Sequence, residues 1–430
     1  MKGTIDFIFG NVKEGQEVQI VGLTLDNKPI TNYDFSEWET PIMFVCHLDK
    51  LYRYFGSFLE SKGYKMKKAN KEFYTRSDCL KNNEFCFINN KSAALKVNDK
   101  LIKIYDTSAW LDTAKDPWEK LTSDEIKLFN NLSLKENLKS TPIQNVIPFN
   151  FFGNEVFFDE NMQRDIEAGI IGGIIIGEPA FYKVAYHYDI TSLYPFIFAT
   201  TAQIPSTTTA TYLERDEVCD HDKYAYWILD EDRLHHCNLA AKIAPAGSIK
   251  MRLKTTPPKY KEKILELYNN KSKEIRGTPE YIIAKRSCNA LVGKMAQHKP
   301  NSSFRKMPAA YSYIIARCRQ HMMGLLERAM GEGANILQIN TDGFFTDLPI
   351  SFYDKERFLG SLRYEYKATN LYIYASNQYS CDQEVCIAGL PKKVFVNGQR
   401  TYNIFTVVKK QNKYYYSYRH FTLQHPGGAC

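Results

Sequence analysis

The spacing of apolar and polar positions along the chain predicts a mixture of strands and helices. Residues 4–9 and 17–23 have the pattern of strands, and the apolar stripe of residues 48–62 has the spacing of an amphipathic helix. Residues 184–197 predict a strand that runs into a turn. The apolar run at 336–345 is broken by a polar Asn-Thr-Asp-Gly segment, which predicts a β-hairpin.

Three later segments predict helices. Residues 259–275 follow a Pro-Pro pair, and residues 280–297 follow Pro279, a residue favoured in the first turn of a helix. The Gly-Thr-Pro break between them predicts an antiparallel helical hairpin. Residues 309–330 predict a third helix, and the alternating Tyr, Lys and β-branched residues after about residue 390 predict a small strand-rich unit.

Composition narrows the classes of protein. A chain of 430 residues is long enough for two or three cores, and a net charge of +8 favours a polyanionic partner. The apolar run at 169–177 is too short to cross a bilayer, so no membrane partner is expected. Ten cysteines without a Cys-x-x-Cys pair are typical of reduced thiols, which predicts a cytoplasmic protein.

Two aspartates are candidates for metal chemistry. Asp189 follows an aromatic strand, and Asp342 lies at the tip of the predicted hairpin. Nucleotidyl transfer uses two divalent ions about 4 Å apart, held by carboxylates from distant parts of the chain, and Mg²⁺ prefers such oxygen ligands. Each aspartate has a simpler interpretation, as a helix cap for Asp189 and as a turn residue for Asp342.

The segments around these aspartates resemble family B DNA polymerases. Residues 189–195, Asp-Ile-Thr-Ser-Leu-Tyr-Pro, resemble the D-x-x-S-L-Y-P segment of that family. Residues 339–343 resemble its Y-x-D-T-D-S hairpin, with Asp342 at the position of the second aspartate. Residues 285–293 resemble its K-x-x-x-N-S-x-Y-G helix, in which Lys285 and Asn289 share one helical face.

The resemblance implies a role for each matching residue. Asp189, the carbonyl of Ile190, and Asp342 would hold two Mg²⁺ or Mn²⁺ ions, with the two aspartates as catalytic residues. The residues implied in nucleotide binding are Ser192, Leu193, Tyr194, Lys273, Lys285 and Asn289.

Other segments resemble the protein-primed members of the family, from small phages and linear plasmids. Residues 170–173 resemble their Y-x-G-G connector, residues 386–393 resemble the start of their thumb, and the likeness covers 165–430. It implies a terminal protein as a possible primer. The residues implied in contacts with DNA are Gly172, Gly173, Gly293, Tyr379, Lys392 and Lys393.

The resemblance weakens towards the N-terminus. Asp6-Phe7-Ile8 keeps one carboxylate of the family's proofreading D-x-E, and residues 47–51 and 126–132 lack the acids of the two later sites. We therefore expect a ribonuclease-H-like domain that no longer cuts DNA.

The implied fold class is α/β (α+β), a right-hand polymerase of palm, fingers and thumb preceded by this exonuclease-type domain. The predicted domains are the exonuclease-like domain (1–160), the connector (161–183), the palm (184–255 and 296–375), the fingers (256–295) and the thumb (376–430).

Three departures leave competing hypotheses open. Asn340 replaces the first aspartate of the hairpin, Val292 replaces the tyrosine of the helix, and Asn377 replaces the lysine of a K-x-Y site. The first hypothesis is an exonuclease-deficient DNA polymerase that uses primer-template DNA and dNTPs, in the host cytoplasm if it is viral or plasmid-encoded. The second is a decayed polymerase that acts as a DNA-binding or replication scaffold. A metal-dependent nuclease, using Asp6 and the aspartates near residue 159, is the third.

Overall fold

A computed structural model of the chain describes most of its residues. The described residues are 2–10, 12–25, 28–29, 42–45, 48–67, 80–89, 92–106, 122–124, 159–213, 220, 223–230, 233–236, 249–276, 278–298, 303–390, 394–396, 398–411 and 413–423. The chain divides into two compact units. The first takes in Met1–Pro148, Glu274–Ala284 and Asn403–His420, and the second takes in Phe149–Lys273, Lys285–Tyr402 and Phe421–Cys430.

The first unit is built on a mixed β-sheet with a helix packed on it. Its elements are β1 (Lys2–Phe9), β2 (Ile20–Leu25), β3 (Lys28–Pro29), β4 (Ile42–Val45), α1 (Leu48–Ser61), β5 (Lys65–Met66), β6 (Glu84–Asn89), β7 (Ser92–Val97) and β8 (Lys100–Asp106). The strand order is β3-β2-β1-β4-β8-β7-β6-β5, and β4 runs parallel to both β1 and β8. The apolar stripe of α1, including Leu48, Leu51 and Phe55, is buried in the core of this unit.

The predicted first strand and first helix are confirmed with small changes at their ends. The second strand begins at Ile20 instead of residue 17, because Glu17 pairs with Tyr415 in an isolated bridge. Asp6 lies on β1 opposite Thr24 and is buried. Residues 47 and 126–132, on which the expected loss of proofreading partly depends, lie outside the described residues.

The second unit contains two sheets and five helices among its described residues. Its elements are α2 (Glu160–Ala168), β9 (Ile175–Gly177), β10 (Ala180–Ile190), α3 (Leu193–Thr200), β11 (Ile204–Tyr212), β12 (Tyr224–Asp230), β13 (Arg233–His236), β14 (Ile249–Thr256), α4 (Lys261–Lys273), α5 (Pro279–Met295, of which the first turns belong to the first unit), α6 (Pro308–Gly331), β15 (Ile336–Asn340), β16 (Gly343–Thr346), β17 (Leu362–Ala375), β18 (Gln378–Ser380) and β19 (Val385–Cys386). The larger sheet has the order β19-β18-β17-β10-β16-β15-β9, and the smaller has the order β11-β14-β12-β13.

The helices and the hairpin predicted for this part of the chain are confirmed, with ends that move by one or two residues. Residues 184–197 were predicted as a strand that runs into a turn; the strand is confirmed, but the turn is wrong in part because α3 begins at Leu193. Ser192 adopts a left-handed conformation with φ of 58°, which reverses the chain between the strand and the helix. In the part of the chain that the structure describes, no helix is long and apolar enough to cross a membrane.

A C-terminal hairpin of β20 (Thr401–Lys410) and β21 (Lys413–Thr422) confirms the strand-rich end of the chain. Most of it belongs to the first unit. Gly15 N–H donates to the Tyr416 carbonyl over 2.8 Å, and the Lys413 ammonium contacts the Glu17 carboxylate at 2.9 Å. The Tyr416 ring is 1% exposed and lies in the same core as the residues of α1.

Candidate active site

Asp189 lies near the end of β10, a strand in the interior of the larger sheet. It pairs with Gly343 of β16 on one side and with Arg363 of β17 on the other. Because neighbouring strands cover both edges of β10, the backbone around Asp189 is held in a single register. The aspartate is therefore presented from a rigid element.

Asp342 occupies the tight turn between β15 and β16. Its N–H donates to the Asn340 carbonyl over 2.7 Å, and its own carbonyl accepts from the Ile190 N–H over 2.8 Å. This second bond joins the turn to the residue that follows Asp189. A Cβ on Gly343 would lie 3.1 Å from the Tyr188 carbonyl oxygen and 3.4 Å from Asp189 Oδ1, so a glycine suits this close approach. Two aspartates that are distant in sequence thus become neighbours.

The electrostatics of the two carboxyl groups reflect this proximity. Burial, followed by the charges of Asp342 and Glu365, raises the pKa of Asp189 to about 7, against the opposing effect of Arg357 and Lys285. Burial also raises the pKa of Asp342, while Lys285 and Lys271 oppose that rise. Two half-buried carboxyl groups whose charged forms are disfavoured form a site that a cation would stabilise.

Lys271 of α4 also reaches this site. Its Nζ donates to the Ser192 Oγ over 2.6 Å, and the side chain is 9% exposed. Lys273, which the sequence had suggested for this role, lies exposed near the end of the same helix. Lys273 was chosen by its distance in sequence from Lys285. Lys271 could have been found from its helical spacing, because it lies on the same face of α4 as the buried Ile264 and Leu267.

The start of α3 carries three of the residues predicted to bind the nucleotide, Ser192, Leu193 and Tyr194. Leu193 is 1% exposed, so its side chain packs in the core and only its backbone is available to a ligand. Tyr194 is partly buried, and burial raises its pKa, with smaller contributions from Cys318, Tyr311 and Asp342. Tyr194 and Ser192 therefore both lie in the surroundings of Asp342.

The helix α5 carries Lys285, Asn289 and Gly293 at successive four-residue intervals, and all three are exposed. Lys285 is the one of these whose charge acts on both aspartates. Val292, which replaces the family's tyrosine, is 2% exposed and packs in the core. This face of α5 thus offers a cation, an amide and an open glycine position.

Glu365 is a carboxylate near the site that sequence reasoning missed. The pairing of β10 with β17 steps from His187 opposite Tyr366 to Tyr188 opposite Tyr364, which leaves Glu365 as the extra residue of a β-bulge. Glu365 forms an ion pair with Arg357, with 3.0 Å between Glu365 Oε1 and Arg357 Nη2. A bulge cannot be predicted from the alternation of apolar and polar residues alone, because the extra residue moves the side chains that follow to the opposite face of the sheet.

The glycine-rich connector contacts the turn that carries Asp342. The Thr341 N–H donates to the Ile174 carbonyl over 2.8 Å, and a Cβ on Gly173 would lie 2.7 Å from Thr341 Cγ2. The Gly172 carbonyl accepts from Arg319 Nη1 over 2.9 Å, whereas a Cβ on Gly172 would meet no atom within 4 Å. Of the two glycines, only Gly173 is required by close packing.

The remaining predicted DNA contacts fall into two groups. Tyr379 is 5% exposed, packs in the core beside Phe345, and its hydroxyl points to Glu384 over 3.4 Å. Its ring is thus a packing residue of the sheet, and this packing lends no support to the predicted contact with DNA. Lys392 and Lys393 lie outside the described residues.

The donor set fits a hard divalent cation better than a soft one. Among the described residues, no group of three or more His, Cys, Asp and Glu side chains has a metal-binding arrangement. Two neighbouring carboxylates and a backbone carbonyl nevertheless suit Mg²⁺, which takes few protein ligands and completes its shell with water and phosphate. Asp189, Asp342 and the carbonyl of Ile190 are such a set.

Comparisons with known proteins reveal similarity in structure but not in sequence. No protein-family profile matches the chain, and no curated protein matches it in sequence. Phi29 DNA polymerase in a ternary complex with primer-template DNA and incoming nucleotide is similar, with a TM-score of 0.66 and 14% identity over 98% of this chain and 100% of that one.

The same polymerase with single-stranded DNA gives a TM-score of 0.65 and 12% identity over 98% of this chain and 100% of that one. An orthorhombic crystal form of the polymerase gives a TM-score of 0.63 and 13% identity, over 99% of this chain and 100% of that one. At this level of identity the comparison establishes the fold alone, and the chain has the fold of phi29 DNA polymerase.

Proposed function

We propose that this protein is a DNA-directed DNA polymerase that transfers nucleotides from dNTPs to a primer on template DNA. The observation that carries the proposal is the backbone hydrogen bond from Ile190 to Asp342, which brings together two half-buried aspartates in a fold shared with a DNA polymerase. Lys271 and Lys285 add positive charge to the same place. Paired carboxylates beside cations match the chemistry of nucleotidyl transfer.

The metal-binding part of the proposal rests on the donor set. Asp189, Asp342 and the carbonyl of Ile190 would hold Mg²⁺ or Mn²⁺. When bound, such ions activate the primer hydroxyl and stabilise the charge of the leaving pyrophosphate. Because burial raises the pKa of both aspartates, and the charge of Asp342 raises that of Asp189 further, a bound cation would also favour their ionised forms.

The chain's own residues would bind and orient the nucleotide. Lys285 and Lys271 provide point charges for the triphosphate, and the bond from Lys271 aligns the Ser192 hydroxyl at the start of α3. Tyr194, two residues after Ser192 and near Asp342, would limit the space at the sugar. Asn289 lies one turn from Lys285 on the exposed face of α5, where an amide can contact the base.

Two finer features belong to the same proposal. We infer that the enzyme lacks proofreading, since Ile8 stands where the family has a glutamate two residues after Asp6. We also propose that it accepts a primer hydroxyl from a terminal protein, a proposal supported by the resemblance of residues 170–173 and 386–393 to the protein-primed group.

A second candidate function, a decayed polymerase that holds DNA as a scaffold, is favoured by a specific observation. Asn340 supplies a neutral amide where the family has a third carboxylate. The sequence nevertheless keeps Asp189 and Asp342, the two carboxylates that would hold the metal ions. We therefore favour the active enzyme.

Primer extension on a primed DNA template, with four dNTPs and either Mg²⁺ or Mn²⁺, tests the proposal. The wild-type protein should extend the primer, and Asp189→Ala and Asp342→Ala should each lose extension by at least about 1,000-fold, since each removes a charge that stabilises the transition state. Glu327→Ala, at an exposed position of α6, is the matched control and should extend normally.

The outcome separates the two candidate functions. Wild-type protein that fails with both metals, and also with a terminal protein as primer, yet binds the template, would support the scaffold. Extension that survives both aspartate substitutions would show that the catalytic centre lies elsewhere. A 3′-to-5′ exonuclease activity abolished by Asp6→Ala would contradict the inferred loss of proofreading.

A further inference from the structure

A cleft of about 460 Å³ lies between helices α3 and α6. Its apolar floor is formed by Phe196 and Ile197 of α3 and Leu325 of α6. Gly324 opens the middle of the α6 side, where a Cβ would meet no atom within 4 Å. We refer to this feature, defined by these four residues, as the α3–α6 cleft.

The rim of the α3–α6 cleft is basic. Arg317 and Arg328 lie at its two ends on α6, with His321 between them, and no carboxylate lines it among the described residues. Arg317 Nη1 donates to Gln320 Oε1 over 3.2 Å, and the Arg328 guanidinium lies 4.1 Å from the centre of the Phe352 ring. In the part of the chain that the structure describes, these contacts support both guanidinium groups without neutralising them.

Arg328 acts on the carboxylate of Glu332, which is already engaged in other contacts. It accepts a hydrogen bond from the Ser351 N–H over 2.7 Å and a second from the Ser351 hydroxyl, and Arg328 contributes less than these to its lowered pKa. The positive charge at both ends of the cleft is thus left largely for a ligand. An apolar floor between two cations is complementary to an apolar group between two anions.

The floor is poorly suited to a nucleic-acid base. The Phe196 ring contacts the edge of His321 at a centroid distance of 5.3 Å, and a Cβ on Gly360 would lie 2.2 Å from a Phe196 ring atom. Both neighbours occupy space that a stacked base would need, and single-stranded DNA is generally bound by stacking on open rings. Leu325 and Ile197 are aliphatic and favour an apolar side chain.

The spacing of the arginines sets the length of the ligand. Arg317 and Arg328 are eleven residues apart on one helix, which corresponds to about 16 Å along its axis. An extended peptide covers that distance in about five residues. We propose that the α3–α6 cleft binds an acidic peptide segment of a partner protein, with an apolar side chain on Leu325 and carboxylates at Arg317 and Arg328.

Fluorescence anisotropy of a fluorescein-labelled peptide, Gly-Asp-Asp-Phe-Asp-Asp-Gly, tests this on the full chain. We expect saturable binding that weakens by at least about 10-fold in Gly324→Leu and in the double variant Arg317→Glu/Arg328→Glu. Gly324→Leu fills the cleft without changing charge, and its new side chain enters open space. The charge-matched control Lys254→Glu/Lys259→Glu, at exposed positions, should bind as wild type does.

Three results would overturn the proposal. They are no binding of the peptide by wild-type protein, equal binding by Gly324→Leu and wild type when both have the same melting temperature, and equal binding of a peptide with Ser in place of Phe. If both cleft variants weaken binding of a labelled oligo(dT) and wild-type protein ignores the peptide, the cleft is a single-strand site instead. None of these readouts depends on polymerase activity.

Discussion

The hydrogen bond between the Lys271 ammonium and the Ser192 hydroxyl joins helix α4 to the start of α3 at the centre of the candidate site. Ser192 has a left-handed backbone, a conformation that costs free energy for a residue with a side chain. A buried cation that holds such a residue in place has a role in positioning as well as in charge. Lys271 also lies close enough to Asp342 to oppose the rise in its pKa.

We predict that Lys271→Met lowers kcat/KM for dNTPs by about 10- to 100-fold, because a charge-assisted hydrogen bond contributes about 1.5–3 kcal/mol. Methionine keeps the length and the apolar contacts of the buried lysine. Lys273→Met is the matched control, since that side chain is exposed two residues further along α4, and it should change kcat/KM little. Steady-state kinetics of single-nucleotide addition checks this prediction. If Lys273 were the lysine that contacts the triphosphate, Lys273→Met would lose more kcat/KM than Lys271→Met.

At the scale of elements, the connector and the β15–β16 hairpin pack against each other. The bond from Thr341 to the Ile174 carbonyl holds the connector against the turn, and Gly173 leaves no room for a side chain there. Because Asp342 is the next residue in this turn, a displaced connector would displace the carboxylate that we propose is catalytic. A shift of about 1 Å at such a group can reduce a rate by about 100-fold.

We predict that Gly173→Ala reduces primer extension by at least about 10-fold, whereas Gly172→Ala leaves it near wild type. A Cβ at position 173 would clash with Thr341 Cγ2, a stiff β-branched group, but a Cβ at 172 enters open space. The double variant Gly173→Ala/Thr341→Gly removes the clash, and glycine suits the φ of 59° at position 341.

Primer-extension rates of the four proteins check this prediction. Recovery in the double variant is the expected result. A loss in Gly172→Ala equal to that in Gly173→Ala would instead indicate that the connector acts through flexibility or through direct contact with DNA.

At the scale of the whole molecule, the chain returns to its first unit near its C-terminus. The β20–β21 hairpin supplies Tyr416 to a core that otherwise contains residues of the first half of the sequence. Its backbone also bonds to Gly15 and Gln16. The fold of the first unit therefore depends on residues that are about 400 positions apart in the sequence.

We predict that Tyr416→Ala destabilises the first unit by about 3–5 kcal/mol, the usual cost of deleting a buried aromatic ring. Hydrogen–deuterium exchange should then increase in peptides that cover β1 and α1. Tyr418→Ala, at a position 44% exposed on the same strand, is the control and should leave exchange unchanged. Unchanged exchange in Tyr416→Ala would mean that the hairpin is only appended to this unit.

The sequence by itself determined the features that depend on neighbouring residues. The strand before Asp189, the turn at Asp342, and the helices that begin at Pro279 and Pro308 follow from side-chain periodicity, turn chemistry and proline, all of which act within a few residues. The likeness to family B polymerases rested on these short segments, and the comparison of folds agrees with it at the level of the fold.

Only the tertiary structure decided which distant side chains meet. Lys271 rather than Lys273 reaches Ser192 because the packing of α4 against α3 selects one face of the helix. Glu365 acts on Asp189 because of a bulge between two paired strands, and Tyr416 completes the core of the first unit. Such contacts depend on long-range packing, and the free energy that selects them is not contained in any local pattern of residues.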